Sequence, residues 1–114
     1  MRATREALAG VTRLRGVRAA LLTTIQDALP IDAVAHVDVD VEALAAFGTS
    51  LVRRARQAVE MSRLGAVQLV SLEATGGRVF IARQGDLLVI ALAARDAHAG
   101  LVRVRLQRCL EAVE

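Results

Sequence analysis

Few side chains in this 114-residue sequence could do chemistry, and each has a plainer competing role. Cys109 is the only cysteine, so an internal disulfide and a cysteine-built metal cage are excluded, which fits a reducing compartment. As a nucleophile it would need His36 or His98 as its base. It falls instead on the apolar stripe of the last expected helix, where a thiol behaves as a small hydrophobe and its ionisation is disfavoured. Arg53, Arg54 and Arg56 form the densest basic cluster, and guanidinium groups supplied in trans beside a γ-phosphate stabilise phosphoryl transfer. The competing role is a solvated helix face, with Glu42 and Glu60 as pairing partners at helical spacing. The acidic run His36-Val-Asp38-Val-Asp40-Val-Glu42 could gather oxygens for a divalent cation, but it lacks the glycine turn and closing Glu of a calcium loop; a strand end feeding a helix cap explains the same residues. Thr75-Gly76-Gly77-Arg78 lacks the Gly-Lys-Ser/Thr segment of a phosphate loop and reads as a hairpin turn. Ser50, Ser62 and Ser71 have neither an elbow motif nor a neighbouring base. The sequence therefore predicts no catalytic, cofactor or metal site, and no enzyme.

Composition narrows the partners. All basic residues are arginines, yet the net charge is only +3 and the arginines are interleaved with Asp and Glu rather than gathered with aromatics. Aromatics are 2% of the chain, namely Phe47 and Phe80, so base-stacking platforms are lacking and nucleic acid is not an expected partner. The longest apolar run, Leu87 to Ala94, falls far short of the ~20 residues a membrane helix needs, so no membrane insertion is expected. Charges at Arg2, Arg5, Glu6, Arg13 and Arg15 break any export signal, and a cytoplasmic location follows as the expectation.

The elements that must position these residues can be read along the chain. Residues 3–15 place Ala7, Leu8, Val11 and Leu14 on one side of a helix that Gly16 stops. Residues 17–25 and 31–37 read as a hairpin whose second strand Pro30 assigns to a sheet edge. Asp38 or Asp40 caps a second helix running to about Arg63. On its wheel Glu42, Thr49, Ser50, Arg53, Arg56, Gln57 and Glu60 take one half; Val41, Leu44, Ala45, Phe47, Gly48, Leu51, Val52, Ala55 and Val59 take the other. That apolar arc spans roughly 160°, wider than the ~100° stripe a helix needs to cover its own sheet, so the surplus calls for a second partner. Residues 66–75, 78–84 and 86–94 predict an antiparallel meander turned at Gly76-Gly77 and Gly85-Asp86. Leu87 to Ala94, without polar alternation, is its central strand. A last helix from about Ala97 buries Ala99, Val102, Leu106, Cys109, Leu110 and Val113 and turns Leu101 and Val104 outward, and His98 near its start is expected to be exposed with no structural role. The expectation is one α/β domain over residues 1–114, α-β-β-α-β-β-β-α, with a five-stranded antiparallel sheet and helices on its faces.

That order, with Leu14-x-Gly16-Val17, Asp40-Val-Glu-Ala-Leu-Ala-Ala, the glycine-turned hairpins ending in Leu87-Leu-Val-Ile, and Gly100-Leu-Val-Arg, resembles the Roadblock (dynein light chain LC7) family, and within it the bacterial MglB type. The resemblance covers almost the whole chain. It implies a homodimer, open to higher oligomers, in which the second helices pack together and the third strands join two sheets. It also implies a regulator of a small Ras-like GTPase that repositions the GTPase's own residues and inserts no arginine finger. The expected interface is Val41, Leu44, Ala45, Gly48, Leu51, Val52, Ala55, Val59, Val67 and Leu69, with Arg53, Arg54 and Arg56 as candidate GTPase contacts. A structural adaptor without effect on hydrolysis is the alternative, and a small-ligand sensor a third reading. The chain departs from the family at Gln26-Asp27-Ala28, where relatives often carry Asp-Gly, which predicts a wider turn, and in its short termini, which omit the C-terminal extension of some relatives.

Overall fold

The computed structural model describes residues 2–36 and 38–113. Its elements are α1 (Arg2–Thr12), β1 (Val17–Thr24), β2 (Asp32–Ala35), α2 (Val41–Ser62), β3 (Leu69–Ala74), β4 (Gly77–Gln84), β5 (Leu87–Ala93) and α3 (Ala99–Val113). This is the expected order. The five strands form one antiparallel sheet in the order β2-β1-β5-β4-β3. Consecutive strands are joined by hairpins except where α2 carries the chain from one edge, β2, to the other, β3. The unalternated run Leu87–Ala93 is indeed the central strand, and Pro30 lies two residues before an edge strand.

Strand alternation divides the core in two. Leu22, Phe80, Val89 and Ala91 face α1 and α3, which bring Leu8, Val11, Val102, Leu106 and Leu110. Leu21, Ile81, Leu88 and Ile90 face α2 alone, which brings Leu44, Ala45 and Val52. Two helices thus cover one face and a single helix crosses the other.

Local chemistry sets the ends. Asp40, not Asp38, caps α2: its Oδ1 accepts from the Ala43 amide at 3.0 Å. The helix stops where Arg63 turns left-handed (φ 58°), its amide donating to the Glu60 carbonyl while Leu64 donates to Val59. Gly85 provides the positive φ (60°) of the β4–β5 turn. The first hairpin has the wide turn foreseen from Gln26-Asp27-Ala28, and Ala28 itself takes a left-handed φ of 58°. Four expectations need correction. α1 ends at Thr12 rather than Arg15, since residues 13–16 turn to reach Gly16 (φ 88°). β3 begins at Leu69 rather than Ala66, because residues 64–68 run outside the ladder. α3 begins at Ala99, and His98 serves as its cap, Nδ1 accepting from the Leu101 amide at 3.2 Å. Thr49, placed on the polar half of α2, is fully buried; its hydroxyl donates to the Ala45 carbonyl at 2.7 Å, which lets a threonine sit in an apolar layer. The last expected residue of the second strand, Val37, lies outside the described residues.

Candidate interaction surface

Exposed apolar side chains recur along α2 and just beyond its end, beside β3. One stripe of α2 packs on the sheet: Leu44, Ala45, Gly48 and Val52 are buried within the chain itself. They were expected at an interface; a residue already enclosed by its own sheet offers a partner no area, so they support the helix rather than meet a second protein. Gly48 shows how close the approach is. A Cβ there would lie 2.5 Å from Ile90 Cδ1, so the glycine lets helix and central strand touch. Val67 is likewise buried.

The next stripe round the helix is open. Phe47, Leu51, Arg54 and Ala58 recur at helical spacing: Phe47 is 44% exposed, Leu51 is half-buried, and Arg54 and Ala58 are exposed. Val41, Ala55, Val59 and Leu69, also expected at the interface, are half-buried. At the C-terminal end the patch grows through Met61 (87% exposed) and Leu64 (77%), neither of them among the interface residues expected from the sequence. They lie beyond the polar half of the wheel, and the apolar pair straddling Ser62-Arg63 was the signal available. Between this helix end and β3 runs an open groove of about 540 Å³ lined by Ala55, Val59, Leu64, Leu69 and Val70. β3 is an outer strand, so one side of its backbone is free to pair.

The three arginines do not act as a cluster. Arg53 turns back into its own chain, Nε donating to the Ile25 carbonyl at 3.0 Å and Nη2 to the Gln26 carbonyl at 2.9 Å, and so clamps the wide β1–β2 turn. Thr23 fastens the same turn, its hydroxyl donating to the Leu29 carbonyl at 2.6 Å. Arg56 is half-buried on the stripe of Thr49 and Val52; only Arg54 stands beside Phe47 and Leu51. Among the described residues neither Glu42 nor Glu60 pairs with any of the three.

The other candidates disperse. Burial pushes the Cys109 thiol up to about 11, against thiolate chemistry at neutral pH. His36 Nε2 is engaged by the Thr12 carbonyl at 2.7 Å. Asp40 is spent on its cap, and no group of three His, Cys, Asp or Glu among the described residues is arranged to hold a metal. Thr75-Gly76 is the β3–β4 turn. Ser50, Ser62 and Ser71 are exposed, and Ser62 donates to its own helix. No helix among the described residues is long and apolar enough to cross a membrane.

Neither a protein-family model nor a curated protein matches the sequence. Solved structures do match the fold. A Roadblock/LC7 domain from Streptomyces avermitilis superposes with a TM-score of 0.85 at 21% identity, over 95% of this chain and 92% of that one. The gliding protein MglB from Thermus thermophilus gives 0.86 at 16% identity, covering 98% and 86%. An MglB in a tetrameric arrangement gives 0.88 at 16% identity, covering 98% and 85%. The chain has the Roadblock/LC7 fold.

Proposed function

We propose that this chain is a non-catalytic, homodimeric regulator of a small Ras-like GTPase. The observation that carries the reading is the series of apolar side chains that the chain's own core leaves uncovered, from Phe47 and Leu51 through Met61 and Leu64, beside the free edge of β3. Two such surfaces brought together would satisfy both the helix shoulder and the open strand, the arrangement that the family resemblance implies. An interface of standard size, ~1,600 Å² in total, is within reach of a 22-residue helix and a six-residue edge strand. Regulation rather than catalysis fits the dispersal of every candidate nucleophile, base and metal ligand. In this reading Arg54, the one arginine of its trio beside the exposed apolar stripe, contacts the GTPase by charge and supplies no transition-state group.

The reading is tested by capturing partners on the immobilised protein from source-cell lysate loaded once with a slowly hydrolysed GTP analogue and once with GDP. Enrichment of a small GTPase in the triphosphate state is the expected result. Partners that ignore the nucleotide would favour an adaptor, which the second pair of exposed aliphatics, Leu101 and Val104 on α3, independently suggests.

A further inference from the structure

The charge of this chain is unevenly divided along its sequence. The segments 1–16 and 95–114, which contain α1 and α3, carry eight arginines against four acidic residues; residues 17–94 carry seven against eight. The modest net charge of +3 therefore hides a basic excess in the two segments that contain α1 and α3.

Geometry concentrates that charge. Arg13, just past the end of α1, and Arg105 and Arg108 of α3 line a single groove of about 270 Å³, with Glu6 the one acidic residue of its lining. Among the described residues no carboxylate pairs with any of the three arginines, whereas Arg5 of α1 is spent on Asp32 at 2.9 Å. On α3 the two arginines share a stripe with exposed aliphatics: Leu101, Val104, Arg105 and Arg108 follow at i, i+3, i+4 and i+7, with Leu101 53% and Val104 44% exposed.

We infer that the α1/α3 face docks on an anionic phospholipid surface. Free guanidinium groups take lipid phosphates in forked hydrogen bonds, and aliphatic side chains on the same helical stripe enter the headgroup boundary, the two contributions by which a helix lies on a bilayer. A bilayer fits this face better than a folded partner does. The face offers none of the aromatic anchors on which protein hot spots and single-stranded nucleic acids rely: Phe80 is buried and Phe47 lies across the sheet. Because α2 occupies the opposite face, lipid docking leaves the α2 and β3 surface free, and the inference stands independently of the proposed function.

The test is co-sedimentation of the full chain with phosphatidylcholine vesicles and with vesicles in which a third of the lipid is phosphatidylglycerol. The expected result is binding to the anionic vesicles alone, weakened by added salt. Arg105→Glu with Arg108→Glu, both exposed and so compatible with folding, should weaken it roughly 20- to 30-fold. Leu101→Ser with Val104→Ser should weaken it several-fold, and Arg54→Glu, on the far side of the sheet, should leave it unchanged. Equal binding to both vesicle types, no sedimentation with anionic vesicles, or indifference to the double charge reversal would each overturn the inference. So would an acidic protein captured through the same arginines by a chain that ignores vesicles.

Discussion

Arg53 shows how far a residue's role depends on what its side chain reaches. In sequence it is one of three arginines on a helix; in the fold its planar fork spans two successive carbonyls of a turn twenty-seven residues away. Arg53→Ala should lower stability by about 1–3 kcal/mol, since two carbonyls lose a charged donor, and denaturant titration reads this directly. Arg53→Lys should recover little of it, because a single ammonium cannot meet both acceptors in that geometry. Cys109 behaves oppositely: its buried place on the last helix was legible from helical spacing alone. Its thiol ionises only near 11, against an ordinary 9.0, so the folded state favours the protonated form. The stability this contributes is complete below pH 9 and fades as pH rises towards 11, a loss that Cys109→Ala should abolish in alkaline denaturation curves. Alkylation of the native protein at neutral pH should be slow and become fast in denaturant.

At the scale of elements, α2 carries two demands on one helix. Its inner stripe must approach β5 closely enough that Gly48 meets Ile90, while its outer stripe stays apolar without a partner in the chain. Gly48→Ala gains about 1 kcal/mol of helix propensity but drives a methyl against a fully buried isoleucine; overpacking of about 1–3 kcal/mol should win, giving a net loss of stability measurable by thermal unfolding. The width of the apolar arc was visible in the sequence because helical periodicity is local. Which part of the arc faces inward was not, because that depends on where the sheet lies. Leu44, Ala45, Gly48 and Val52 turned in, Phe47 turned out, and Thr49 joined the core by bonding its own helix.

For the whole molecule, one helix over a five-stranded sheet leaves a shoulder and a strand edge that a second copy can cover. Phe47→Arg and Leu51→Arg change side chains with exposed area, so they test association without emptying the core. Sedimentation equilibrium should show a dimer for the parent chain and a monomer of unchanged helicity for the Phe47→Arg, Leu51→Arg double variant; a double variant that stays dimeric would place the seam elsewhere. Val52→Glu is no substitute, since a charge on that fully buried side chain would unfold the monomer.

The sequence by itself determined the element order, the central place of Leu87–Ala93, the edge beside Pro30 and the helical stripe holding Cys109. Each follows from a periodicity or a turn residue acting over a few neighbours. The tertiary structure alone decided that Arg53 faces its own chain, that Asp40 rather than Asp38 is the cap, that His98 closes α3, and that arginines far apart in sequence converge on one groove. These are meetings of groups distant along the chain, and they are fixed only once sheet and helices have packed.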